Sequence, residues 1–222
     1  MNANLLHLIW LTLAFLVLFG IAEVLYHKMQ ISVEYTRKLV HIGTGLLTML
    51  FPIVFTHYVW VIAICAAFLG LLILSLKYNL LLSINNIKRN SYGSVSYPIV
   101  VVITFLFYYF RKTNLTTDYY LFYLPILTMA LADPAAALVG KLYPFGTFSL
   151  GREQKTVSGS LAFFLITLLL SFFLLPNKTT VILLLFSIVA TVVEACSGKG
   201  LDNLTIPIAI ILLLHFVYLP CV

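Results

Sequence analysis

Ten consecutive residues, Gly151-Arg152-Glu153-Gln154-Lys155-Thr156-Val157-Ser158-Gly159-Ser160, form a polar island in a chain that is 62% hydrophobic and 9% charged. Two cations, Arg152 and Lys155, are followed by small residues, and an apolar run begins at Leu161. At a helix start, such a segment presents free backbone N–H groups beside fixed positive charge, which suits a phosphate. Ser158, Gly159 and Ser160 supply the candidate backbone donors, and Lys155 a point charge. Taken alone, the island reads first as a solvated loop between membrane helices. Neither GxxxxGK[ST] nor GxGxxG occurs, so it is not a standard nucleotide loop.

Three further blocks carry chemistry. Arg37-Lys38-Leu39-Val40-His41 opens the second apolar run, with Arg37, His41, Thr44 and Gly45 on one helical face. The cations alone read as snorkelling side chains. His41, ionisable within a membrane helix, is a candidate phosphate contact or base near neutral pH. Asp133-Pro134, followed by Ala135-Ala136-Ala137 and Gly140-Lys141, places a carboxylate at an expected helix break. Small residues there permit close helix packing. The Asp caps a helix, or holds a hard ion such as Mg²⁺ together with nucleotide phosphates. In the last block, Glu194 ends an apolar run, and Gly198 and Gly200 make Lys199 part of a flexible turn. Asp202 and Asn203 offer oxygen ligands or a cap for the final helix. Ser91-Tyr92-Gly93-Ser94 reads as a cap for the fourth run.

The elements that must position these groups are membrane helices. Mean hydropathy is +1.09, and the 222 residues divide into apolar runs that fit spans of a hydrocarbon core about 30 Å thick. The spacing predicts an all-α, polytopic bundle of about eight helices, near 5–26, 39–55, 58–76, 95–110, 119–139, 161–175, 180–195 and 204–219. It forms a single integral membrane domain over 1–222, with the motifs inside 34–207. Short alternating barrel strands do not fit. His27 and Lys28 follow the first run and no cation precedes it, so that run is expected to be a retained helix with its N-terminus outside. Inner loops then carry ten basic residues, from Lys28 through Lys88 and Arg89 to Lys199, against Arg111, Lys112 and Lys178 outside. The acids follow the same side, except Asp118, which points to a polar site at the cytoplasmic face. The net charge of +6 reports topology first and favours anionic ligands second; no basic tract indicates nucleic acid. Cys65, Cys196 and Cys221 lack metal or disulfide spacing and are expected to be buried thiols.

RKLVHIGTG at Arg37–Gly45, ADPAAALVGK at Ala132–Lys141, GREQKTVSGS at Gly151–Ser160 and EACSGKGLDNLTIP at Glu194–Pro207 occur in order. Together they resemble the membrane polyprenol kinase family, which includes dolichol, phytol and CTP-dependent diacylglycerol kinases and borders on the phosphatidate cytidylyltransferases. The resemblance implies phosphoryl transfer from a nucleoside triphosphate, commonly CTP, to a membrane lipid alcohol. It implies roles for Arg37, Lys38, Asp133, Gly140, Lys155, Gly159, Glu194, Asp202 and Asn203. Ala132 stands where the family frequently has Gly, and Leu142 to Gly146 is less typical. The expected mechanism has Arg37, Lys38, Arg152 and Lys155 gripping the triphosphate, with Gly140, Ser158, Gly159 and Lys199 completing that site. Asp133 with Glu194, Asp202 or Asn203 holds Mg²⁺. His41 or an acid takes the alcohol proton. The lipid tail lies between helices. A cytidylyltransferase ranks second and a transporter third, because polar residues gather at one face and no inverted repeat is evident.

Overall fold

The computed structural model describes residues 3–86, 92–113, 118–150, 153–176 and 179–221. Arg152, Lys88, Arg89, Ser91 and Lys178 lie outside the described residues, as do the side chains of Glu153 and Cys221. Each apolar run is helical: α1 (Ala3–His27), α2 (Val33–Thr48) with a short α3 (Phe51–Val54), and α4 (Tyr58–Lys77). The one-turn α5 (Leu82–Asn85) precedes α6 (Gly93–Arg111). Then come α7 (Tyr120–Leu127), a π-turn at Thr128–Ala132 and α8 (Asp133–Leu142), forming one rod. After a small hairpin, β1 (Thr147–Leu150) and β2 (Glu153–Thr156), follow α9 (Val157–Leu174), α10 (Thr180–Cys196) and α11 (Asp202–Leu213). Six of the described spans are long and apolar enough to cross a membrane; Thr180–Cys196 and Asp202–Tyr218 are shorter apolar helices. The fold is an all-α polytopic bundle, with the hairpin as an addition.

The bundle is apolar outside as well as inside, as a lipid solvent requires. Trp10, Phe173 and Phe216 point outward, while α1 buries only the stripe Leu11, Phe15, Phe19 and Ala22. The centre is the α7–α8 rod, where Phe122, Leu124, Ile126 and Met129 are fully enclosed. It is packed against α6, α9 and α11. Where α9 meets its neighbours it presents Gly159, Phe163, Thr167 and Ser171 at four-residue spacing. Small and hydroxyl side chains allow close approach where lipid offers no hydrophobic drive.

Several local expectations change. The second helix begins at Val33, so Arg37 and Lys38 lie in its second turn rather than at its opening. Thr36 anchors this early start by donating to the Ser83 carbonyl at 2.6 Å. The polar island is half of a hairpin, with Phe148 opposite Lys155 and Leu150 opposite Glu153. The sixth helix starts at Val157, because Thr156 Oγ1 accepts from the Gly159 amide at 3.0 Å. The irregularity near Asp133 precedes it, as a π-turn, and the helix then runs on through Pro134. Leu201, not Asp202, occupies the cap position of α11, whereas the cap of α6 is Tyr92, within the expected segment. Cys65 is buried but Cys196 is exposed, since it falls outside the buried face of α10 formed by Phe186, Ala190 and Glu194.

Two glycines set how closely α8 and α9 approach. A Cβ on Gly159 would stand 2.7 Å from the Ala136 carbonyl oxygen, and one on Gly140 would stand 2.5 Å from Thr156 Oγ1. The first neighbour is backbone and cannot move aside. Gly159→Ala is expected to destabilise the protein by about 1–3 kcal/mol. Gly20→Ala, where a Cβ meets nothing within 4 Å, should leave stability unchanged. Unfolding midpoints of the two variants in one detergent compare them directly.

Candidate active site

A cavity of about 1140 Å³ opens among the helix ends that carry the four motifs. Its polar wall includes Arg37, Lys38, His41, Asp133, Lys155 and Asp202. Glu194, Asn203, Gly140 and Gly159 also line it. Residues almost 170 positions apart in sequence therefore share one chamber. Neighbouring contacts fix that end of the bundle: Glu23 accepts from the Ser83 amide and hydroxyl, and Lys141 bonds Glu34 at 2.5 Å. Asp118 lies at the other end, where its carboxylate accepts from the Thr113 amide and hydroxyl.

The hairpin delivers Lys155 to the buried Glu194 carboxylate, and the two form an ion pair. Glu194 Oε2 is buried with no hydrogen-bond partner among the described residues. Asp133 stands in the field of Asp202, Lys155, Glu194 and Arg37. Lys38 Nζ, also buried, has no hydrogen-bond partner among the described residues and sits 3.6 Å from Glu34 Oε1. An orphaned carboxylate oxygen invites a cation, and a buried ammonium whose nearest carboxylate stands 3.6 Å off has room for an anion. Among the described residues no three or more His, Cys, Asp or Glu gather into a metal cage. Mg²⁺ usually takes only one or two carboxylates and completes its shell with phosphates and water, so a pair drawn from Asp133, Asp202 and Glu194, all in the cavity wall, would be enough to hold it.

His41 is held in a defined tautomer. Its Nε2 lies 3.0 Å from the Met129 carbonyl oxygen, which can only accept, so Nε2 carries the proton. Nδ1 is then left as the basic nitrogen. In a π-turn the Met129 carbonyl would look five residues on for its donor. That residue is Pro134, which has no N–H. Tyr97 completes the seat: its hydroxyl donates to the His41 carbonyl at 2.9 Å, and its ring meets the imidazole edge-on at 5.0 Å.

Other expected site residues are placed differently. Ser158 donates its hydroxyl to the Tyr143 carbonyl and is not among the residues lining the cavity. Lys199 is likewise not in the wall; it adopts φ 56° in the turn, where its carbonyl accepts from the Tyr92 amide at 2.9 Å. The Gly159 amide is taken by Thr156, so it is not a free phosphate donor. Gly140 and Gly159 line the cavity but serve first as points of helix contact. Asn203 donates to the Gly93 carbonyl at 2.8 Å, which ties α11 to α6 and leaves its amide oxygen as the candidate ligand atom. Sequence reasoning missed Tyr97 and the Glu34–Lys141 pair. Nothing local marks Tyr97, because its partner lies 56 residues away.

Burial pulls the Lys155 ammonium down, but the Glu194 charge and hydrogen bond outweigh this, so the group sits above its ordinary 10.5. A raised value means the pair's stabilisation is complete below the unfolded-state pKa and is lost as pH rises through the folded one. Lys155→Met strands the Glu194 charge and is expected to cost about 3 kcal/mol. That difference from the parent protein should widen as pH rises from about 6 to about 9, because the stranded carboxylate can relieve its cost by taking up a proton only at the lower end. Glu194→Gln in the same background should recover most of it. Denaturant titration of the three proteins gives the comparison.

Among curated proteins, the chain is similar to "Phytol kinase" of Synechocystis sp., 29% identical over 200 residues, covering 84% of this chain and 81% of the other. No family model matches it, and no solved structure matches it. The relative spans nearly the whole bundle, so the likeness is not confined to one motif.

Proposed function

We propose that this membrane protein transfers the terminal phosphoryl group of a nucleoside triphosphate, CTP in the first instance, to the hydroxyl of an isoprenoid or other lipid alcohol. The reaction takes place at the cytoplasmic end of the bundle. One observation carries the reading: cations and carboxylates from four distant motifs line the polar end of a cavity whose other walls are apolar. The similar phytol kinase supports the same class of acceptor. The excess of basic residues in the loops assigned inside supports the cytoplasmic placement.

Phosphoryl transfer needs positioning and charge neutralisation more than covalent catalysis. Arg37 and Lys38, consecutive on α2, both line the cavity, where their charges bind the phosphate chain. Lys155, already matched to Glu194, adds fixed positive charge from the hairpin. One or two of Asp133, Asp202 and Glu194 would hold Mg²⁺, which would supply neutralisation of charge on the phosphate oxygens. His41 Nδ1, with Nε2 locked on Met129, accepts the hydroxyl proton of the alcohol. The apolar walls keep the lipid tail beside the site and exclude water that would compete with the alcohol.

The test is purified protein with CTP, ATP, GTP or UTP and phytol, farnesol, a long polyprenol or diacylglycerol. A phosphorylated alcohol with the nucleoside diphosphate is the expected product. A CDP-lipid with pyrophosphate would identify a cytidylyltransferase instead. His41→Ala is expected to lower kcat by about a hundredfold or more. Lys38→Met, which removes a ground-state phosphate contact, should mainly raise the nucleotide KM. Asp133→Asn should abolish turnover at any Mg²⁺ concentration, measured as radiolabel transferred to lipid.

A further inference from the structure

The cavity does not stop at the charged groups. On α2 its lining runs through Arg37, His41, Thr44 and Thr48 to Phe51 at the start of α3, a stripe that passes from cation to hydroxyl to aromatic ring. On α4 the facing stripe is Leu76, Leu72, Phe68 and Ile64, at four-residue spacing, with Cys65 beside it. Phe15 and Phe19 of α1 form a third wall, and Tyr97 to Val101 of α6 a fourth. α1 packs along α2 and α4 packs along α6, so these two pairs hold a slot between them. The slot has a floor. Phe15 meets Phe51 and Phe68 edge-on, at 6.2 and 5.1 Å, and Phe51 packs on Phe55 at 5.5 Å. Phe15, Phe51 and Phe55 are all at most 4% exposed. Beneath them, His7 bonds the Val54 carbonyl at 3.1 Å and Asn4 bonds Thr56 at 2.9 Å, closing α1 onto the turn after α3.

We infer that this slot is a closed-ended measure for the acceptor's tail, admitting a single unbranched or methyl-branched hydrocarbon of about 12 to 16 main-chain carbons; the inference rests on the lipid-alcohol kinase reading above. The length follows from helix geometry. From Leu76 to Ile64 the wall rises about 18 Å at 1.5 Å per residue. An extended hydrocarbon, with tetrahedral bonds near 1.5 Å, advances about 1.25 Å per carbon, so this depth spans about 14 carbons. The cavity volume, about 1140 Å³, leaves room for such a tail together with a nucleotide's phosphates.

Discrimination here is steric. Lipid tails are as apolar as leucine, so a tail gains little by leaving the bilayer for the slot. A short tail leaves empty space, and a long one must displace a packed aromatic floor. Thr48 and Cys65 sit just above that floor and set the width of the lower part of the slot, whereas Phe51 sets the end.

The experiment has two arms. In the first, kcat/KM is measured for primary alcohols of increasing main-chain length. Efficiency should pass through an optimum and fall at least tenfold beyond about 16 carbons, the depth of the slot. Thr48→Phe should move that limit down by about four carbons, the distance from Thr48 to Phe51; Phe51→Ala should move it up. Cys65→Trp gives a second shortened slot should Thr48→Phe fail to fold. In the second arm, hexadecanol and decanol carrying a terminal diazirine are photolysed with the protein and the labelled peptides mapped. Hexadecanol should label the peptides of Phe15 and Phe51, and decanol, which reaches about eight helical residues down, those of Thr48 and Phe68. A length profile that neither variant shifts, or equal labelling of the outward faces around Trp10 and Phe173, would overturn the measure and leave the kinase standing. If no nucleotide phosphorylates any alcohol, the kinase reading fails, and the labelling arm alone judges the slot.

Discussion

The arrangement rests on charge taken out of water. Arg37, Lys38 and Lys155 and the carboxylates Asp133, Glu194 and Asp202 line one chamber at the end of an apolar bundle. Each alone would be costly there, and together they are tolerated because opposite charges face one another. The compensation is incomplete: among the described residues Glu194 keeps one buried oxygen without a hydrogen-bond partner, and the buried Lys38 ammonium faces Glu34 only at 3.6 Å, too far for a hydrogen bond. A ligand that brings anionic oxygens and a divalent cation together meets both needs at once. A nucleoside triphosphate with its metal is such a ligand, and a neutral solute is not.

The backbone is shaped around that chamber. Pro134 cannot donate an N–H, and the turn before it widens into a π-turn. The Met129 carbonyl then serves His41 from the neighbouring helix. One residue type thus does two things: it places Asp133 at the start of a new helical segment, and it fixes which imidazole nitrogen is basic. The glycines act in the same way. Gly159 and Gly140 let α8 and α9 touch, so the hairpin between them can carry Lys155 inward. Gly45 does the corresponding service where α2 crosses the π-turn, since a Cβ there would press on Tyr97 and Ala130.

The sequence made the helices legible because hydropathy is a strong local signal over about 20 residues. It also made the four motifs legible, because charge is conspicuous in an apolar chain. What it concealed depended on distant partners. The island looked like a loop because alternation over four residues is too short to announce a hairpin. Ser158 and Gly159 looked like phosphate donors because their competitors, the Tyr143 carbonyl and the Thr156 hydroxyl, are not apparent from composition. Tyr97 was passed over as one apolar residue among many, although it seats His41 from α6. Asp202 resembled a helix cap, and Leu201 took that position instead.

One chamber serves two solvents, and α2 is where they meet. Along a single stripe the helix presents Arg37 and His41, then Thr44 and Thr48, then gives way to Phe51. Moving an alcohol along this gradient separates its two ends without any moving part. The hydroxyl is held where hydrogen bonds are available, and the chain where they are not. Donor and acceptor recognition therefore fall on different residues. The charged end can remain the same while the aromatic floor changes, and Leu, Phe and Ile at that floor can alter tail length without disturbing a phosphate contact. On the proposed function, the motifs would speak for the reaction, and the residues between them, which no motif records, would decide which alcohol enters it.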